Sequence, residues 1–284
     1  SSFTYDAFVI ALLMLGIALF VTEYLSEEKI QTKRTMVSIL AIVVGCFSKA
    51  VYIPFLALYW LMPKDKFYSR RQKNLFKAGI FVLLILMFAS FILPLIGNVT
   101  SGAEVGDYRG GDTSQTSQLS MILGYPLTYT GVLLKSLGTT FASYFIGSKV
   151  LANFAYRGIY DGIGYFVVLL TMLFTFVTDF GMTEKIYDAQ MKRKILMMKI
   201  WNAVLIFGTA CLVWTALYLD FTPVGSMVIN GVSPRYYLPL IFPLSLIFIN
   251  QKVRCSMKLE NYQSLIAFLM LIGTGISIYC LMLA

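Results

Sequence analysis

Histidine is absent from the 284 residues, and the four cysteines (Cys46, Cys211, Cys255 and Cys280) stand far apart. A triad built on histidine and a Cys/His metal site are therefore excluded. What remains for chemistry is a small set of cations, carboxylates and tyrosines. Arg235 stands in SPRYYLPLIFPL (233–244), followed by Tyr236. A guanidinium can grip phosphate through two parallel N–H donors, although Arg and Tyr also serve as anchors at membrane interfaces. Lys49 is the one charge in SILAIVVGCFSKAVYIPFLALYWLM (38–62). Its ammonium could hold the same phosphate, or it could pair with a carboxylate such as Asp6. Asp6, Glu104, Asp107, Asp112, Asp161 and Asp220 form the acidic set. One of them could act as a general base toward a hydroxyl. The default for Glu104, Asp107 and Asp112 is a solvated acid in a polar loop, and Asp6 could simply cap a helix. Gln118 and Tyr125, in QLSMILGYPLTY (118–129), could contact a sugar or line a headgroup region.

The elements that must position these residues are membrane spans. Hydrophobic residues make up 58% of the chain and charged residues 13%, against about 25% charged in soluble domains. Mean hydropathy is +0.76. The chain reads as an all-α polytopic membrane protein, one transmembrane domain over 1–284. A span needs ~20 apolar residues, which gives candidates at 7–22, 76–97, 162–180, 200–219, 236–250 and 263–283. The net charge of +9 does not point to nucleic acid, because the Lys and Arg residues cluster in short loops between apolar runs. Loops 63–77, 181–199 and 251–262 are strongly basic and 23–35 is mixed. Lys and Arg mark cytoplasmic loops, so all four are expected inside.

That expectation explains Lys49. A single crossing by 36–62 would put loops 23–35 and 63–77 on opposite faces. A hairpin of two short helices, turning at residues 45–49 with Pro54 shortly after, keeps both inside. Lys49 then lies at the outer interface or in a watery cavity, which avoids the cost of a charge in lipid, ~2.5–3.5 kcal/mol or more. The alternative is one tilted helix with Lys49 snorkelling. With the hairpin, 98–161 is external. Its first part, 98–118, is Gly/Ser/Thr-rich and reads as a mobile loop. Its second, 119–160, reads as an interfacial or re-entrant helical segment.

TYDAF (4–8), FSKAVYIP (47–54) with the basic run after it, QLSMILGYP (118–126) and GVSPRYYLPLIFPL (231–244) together resemble a bacterial family of predicted membrane proteins, domain of unknown function 2142. That family looks like a branch of the GT-C type integral-membrane glycosyltransferases. The resemblance implies a GT-C-like helical bundle in the cell membrane. It implies a polyprenyl-phosphate-linked sugar as donor, a cell-surface polysaccharide as acceptor class, and chemistry on the outer face. Lys49 and Arg235 would bind the lipid phosphate, and Gln118, Tyr125 and Tyr236 the substrate. No metal or other cofactor is firmly implied. The family's catalytic carboxylate usually lies in the first external loop, so the general base is expected upstream of Ser1, in a longer protein of which this is the C-terminal part; Asp6 is the weaker candidate. Two rival readings stand beside the enzyme: a lipid-linked glycan transporter or flippase, and a non-catalytic subunit of a polysaccharide assembly complex.

Overall fold

The computed structural model describes residues 5–101, 112–154, 158–178, 189–248, 253 and 255–283. It is all-α. In chain order the helices are α1 (Tyr5–Leu25), α2 (Thr32–Cys46), a 3₁₀ helix (Ala50–Leu61), α3 (Arg70–Ser101), α4 (Gln115–Gly124), α5 (Pro126–Ile146), α6 (Ser148–Leu151), α7 (Ile163–Val177), α8 (Ala189–Phe221), α9 (Leu238–Phe248) and α10 (Leu259–Leu283). Among the described residues, four helices contain apolar stretches long enough to cross a membrane, in α1, α3, α8 and α10.

The run 36–62 is a hairpin. α2 ends at Cys46, the chain turns through Phe47, Ser48 and Lys49, and the 3₁₀ helix returns. The two legs match in length by different means. Fifteen α-helical residues rise about 22 Å, and twelve 3₁₀ residues about 24 Å. The 3₁₀ leg is the central rod of the bundle: Tyr52, Ile53, Phe55, Leu56 and Tyr59 have no exposed surface, and α1, α2, α3 and α8 all pack on it. Pro54 lies inside it and cannot donate a backbone hydrogen bond. The Trp201 indole N–H of α8 donates to the Ala57 carbonyl at 2.9 Å.

Glycine lets the outer leg approach α1. A Cβ on Gly16 would lie 2.5 Å from Ile42 Cγ1 and 2.9 Å from the Ser38 carbonyl oxygen. Ser38 Oγ donates to the Gly16 carbonyl. Small residues at such crossings are the usual means of close helix packing in lipid. A second pair, α7 and α10, is built the same way: a Cβ on Gly164 would meet the Gly273 carbonyl oxygen at 2.4 Å.

One end of the bundle is sealed by a reciprocal exchange of lysines. Lys66 Nζ donates to the Ser26 carbonyl and Oγ, both at 2.6 Å, and to the Glu28 carbonyl at 3.0 Å. Lys29 Nζ donates to the Asp65 and Phe67 carbonyls at 2.7 and 3.2 Å. Burial pulls the Lys66 ammonium below the ordinary lysine value, and Glu23 opposes that shift. The same end holds Glu23, which accepts from the Gln31 N–H and from Arg34. Loops 23–35 and 63–69 therefore touch, as a hairpin requires.

Several boundaries differ from the sequence-based ones. The basic residues Arg70, Arg71, Lys73 and Lys77 belong to α3, and Lys192, Arg193, Lys194 and Lys199 to α8. Lys and Arg are good helix formers, so these spans simply continue into their flanks. α3 also runs past 97 to Ser101, and α4 begins at Gln115, capped by Ser114 Oγ. The expected mobile loop 98–118 is thus helical at both ends, and 102–111 lies outside the described residues. The span expected at 236–250 appears as a 3₁₀ turn (Pro234–Tyr237) leading into α9, which carries Pro239 and Pro243. Asn202 Nδ2 of α8 donates to the Pro243 carbonyl.

Candidate functional site

At the end opposite the lysine exchange, four of the predicted residues meet. Lys49 and Asp6 form an ion pair, and their residues are 7% and 8% exposed. Each comes from a helix terminus, Asp6 from the first turn of α1 and Lys49 from the residue before the 3₁₀ leg. Lys49 Nζ also sits over the Tyr236 ring, 4.2 Å from its centroid. The Arg235 guanidinium carbon is 5.9 Å from the same ring. Tyr236 thus lies within cation–π range of both cations. Its backbone carbonyl accepts a 2.7 Å bond from the Tyr52 hydroxyl, which ties the 3₁₀ leg to the Arg235 turn. Arg235 lies close enough for its positive charge to act on the Lys49 ammonium.

The two cations are not equivalent. The sequence left Lys49 two roles, a grip on the same phosphate as Arg235 or a pair with a carboxylate such as Asp6, and the Asp6 pair is present. Lys49 is buried and its charge is met by Asp6, so its first role is to bind protein. Arg235 is exposed, and among the described residues no carboxylate or hydrogen-bond acceptor meets its guanidinium. It is the cation of the pair that an outside anion can reach. The Lys49–Asp6 pair holds the aromatic plate on which Arg235 rests.

The segment that carries Arg235 is anchored from two helices. Gln118 of α4 is fully buried, and its Nε2 donates to the Thr222 and Pro223 carbonyls at 2.9 and 3.0 Å. Its amide nitrogen is committed to that loop and the residue has no exposed surface, so a direct contact of Gln118 with substrate, as the sequence suggested, does not fit its burial. Gln115 Nε2 donates to Asp220 Oδ1 at 2.6 Å. The Asn230 N–H donates to Thr222 Oγ1 at 3.1 Å. Gly231 has φ of 80°, a left-handed turn where a side chain would strain the backbone and would strike Phe221. The Tyr144 hydroxyl of α5 donates to the Val232 carbonyl at 3.0 Å, and the Phe145 and Tyr144 rings pack edge-on against Tyr237. Tyr125, the residue between α4 and α5, is well exposed, and among the described residues it makes no bond to the Lys49 group.

Asp112 and Asp161 are exposed, Asp220 belongs to the Gln115 contact, and Glu104 and Asp107 lie outside the described residues. Sequence reasoning missed Tyr52, Tyr144 and Gln115. Tyr52 had a signal: it follows Lys49 by three residues, and in a 3₁₀ helix residues i and i+3 eclipse. Tyr144 and Gln115 act through chain segments distant in sequence, which no local pattern reveals.

Residues 1–244 match the family described as Predicted membrane protein (DUF2142), and the chain belongs to that family. No curated protein and no solved structure matches it.

Proposed function

We propose that this membrane protein is a glycosyltransferase that takes its sugar from a polyprenyl-phosphate carrier, with Arg235 as the group that holds the carrier's phosphate. The observation that carries this reading is an exposed guanidinium, met by no carboxylate among the described residues, seated on Tyr236 beside the buried Lys49–Asp6 pair. The opposite end of the bundle collects Lys64, Lys66, Arg70, Arg71 and Lys194. By the positive-inside rule that end is cytoplasmic, which puts Arg235 on the outer face, where surface polysaccharides are built. Departure of a polyprenyl phosphate leaves a dianion at the headgroup layer. A fixed cation with its donors already aimed there stabilises that developing charge without reorganisation. The Lys49–Asp6 pair holds Tyr236, and with it the turn that carries Arg235, in place. Asp6 is engaged with Lys49, so the base for the acceptor hydroxyl is assigned to another carboxylate.

One observation favours a second reading, transport of a lipid-linked glycan. Asn202 Oδ1 and Thr209 Oγ1 are buried in the apolar part of α8 with no hydrogen-bond partner among the described residues, next to the proline-interrupted α9. Polar atoms and broken helices at mid-membrane are features of transporters.

The two separate by experiment. Arg235→Ala in the protein reconstituted in vesicles should lose retention of an added polyprenyl phosphate at least tenfold. Its folding stability should change by no more than about 0.5 kcal/mol, as for an exposed side chain. Arg235→Lys should recover part of the binding. The transferase reading is overturned if Arg235→Ala retains the carrier and leaves surface glycan unchanged. Carrier movement across vesicles without sugar transfer, abolished by Asn202→Leu, would support transport instead.

A further inference from the structure

α5 is long enough to span a membrane, yet it crosses α8 instead of running beside it. Tyr129 near its start donates to Thr215 Oγ1 at 2.6 Å and its ring packs on Tyr218, centroids 5.0 Å apart. Tyr144 near its end stacks on Trp214 at 6.1 Å. Fifteen residues of α-helix separate the two tyrosines, about 22 Å. Their partners on α8 fall between 214 and 218, about 6 Å along that helix. Only a steep crossing satisfies both ends.

The depth of that crossing follows from α8. Its stretch 200–219 has no charged side chain and rises about 30 Å, the thickness of the hydrocarbon core. Trp214 lies five residues inside its outer limit, about 7 Å. α5 therefore lies within the outer leaflet, at the depth where amphipathic interfacial helices sit.

Its free surface is divided to suit. Leu127, Leu134 and Phe141 follow one another at intervals of seven, two helical turns, and are 88%, 50% and 54% exposed. Gly131 and Gly138 lie on the same stripe with no atom near a built Cβ. Thr128 and Lys135, each one residue further on, lie about 100° round the helix, and with Thr139 they form an exposed polar stripe. The third face, Tyr129, Val132, Ser136 and Leu137, is buried against the bundle.

We infer that α5 is a leaflet-seated helix, with Leu127, Leu134 and Phe141 in the acyl region of the outer leaflet and Thr128, Lys135 and Thr139 turned to the headgroups. Through the Tyr144–Val232 bond and the Phe145–Tyr237 contact it sets the height of the Arg235 segment against the lipid phosphates. The lipid seating does not rest on the transferase reading, and each can fail alone.

The test uses the full chain reconstituted in phosphatidylcholine/phosphatidylglycerol vesicles. The native cysteines are replaced by alanine and single nitroxide labels are placed at 127, 134, 141, 128, 135 and 139. Labels at Leu86 on α3 and at Tyr68 serve as lipid and aqueous references. Collision with oxygen should exceed collision with a soluble nickel chelate at least threefold at 127, 134 and 141, as at 86. The ratio should reverse at 128, 135 and 139, as at 68. Six positions of equal aqueous access would overturn the inference, as would loss of both collisions at 127, 134 and 141, the sign of a second copy packed on that face. Each label replaces an exposed side chain, and the references report within the same fold.

Discussion

Replacing Lys49 by methionine keeps the volume of the side chain and removes its charge. The Asp6 carboxylate, 8% exposed, then loses its ion-pair partner in a site with little access to water. Removing one member of a buried pair costs about 3–5 kcal/mol, because the other charge stays buried. Loss of the ammonium from its place 4.2 Å above the Tyr236 ring adds about 0.5–2 kcal/mol. Lys49→Met should therefore destabilise the protein by about 4 kcal/mol or more. The double variant Asp6→Asn with Lys49→Met removes both charges, and exchange of a buried pair for neutral groups is often close to neutral. It should regain most of the loss, a coupling of about 3 kcal/mol between the two sites. The assay is unfolding by dodecyl sulfate in mixed micelles, followed by far-ultraviolet circular dichroism for the wild type, both single variants and the double. A Lys49→Met cost below about 1 kcal/mol, or a double variant as poor as the sum of the singles, would refute the account of Lys49 as a residue spent on Asp6. It would return the ammonium to direct service on an outside anion.

Two further outcomes follow from packing and topology. Gly16→Leu should destabilise by about 1–3 kcal/mol or more, because its Cβ alone meets Ile42 and the Ser38 carbonyl, whereas Gly79→Leu on α3, with nothing within 4 Å, should be close to neutral in the same unfolding assay. Phe47→Cys, at the exposed hairpin turn, should react with an impermeant maleimide in intact cells, while Glu27→Cys should react only after permeabilisation; the reverse pattern would invert the orientation.

The architecture was legible where charge and length constrain it. Lys49 could not lie in lipid, and basic residues flank both ends of 36–62, so the hairpin followed from two independent costs. The meeting of Lys49, Arg235 and Asp6 at one end followed in turn, since it needs only the order of crossings. Chemistry at the level of single contacts was less legible. Gln118 looks like a sugar-facing amide in sequence, but it is engaged by Thr222 and Pro223, more than a hundred residues away. Lys66 reads as one more loop cation, yet its three acceptors come from the α1–α2 loop. The 3₁₀ winding of Ala50–Leu61 left only Pro54 as a trace, because a rod that is apolar on every side has no polar face to mark its period. Helix ends were misplaced where Lys and Arg continued a helix beyond its apolar part.

The winding of that rod has a mechanical consequence. Twelve residues drawn out to about 24 Å would contract to about 18 Å in an α-helix. One terminus is fastened by Lys66 to the loop after α1, and the other by Lys49 to the start of the same helix. α1 and the inner leg are therefore tied together at both ends, and the Tyr52 hydroxyl carries that tie on to the turn that holds Arg235.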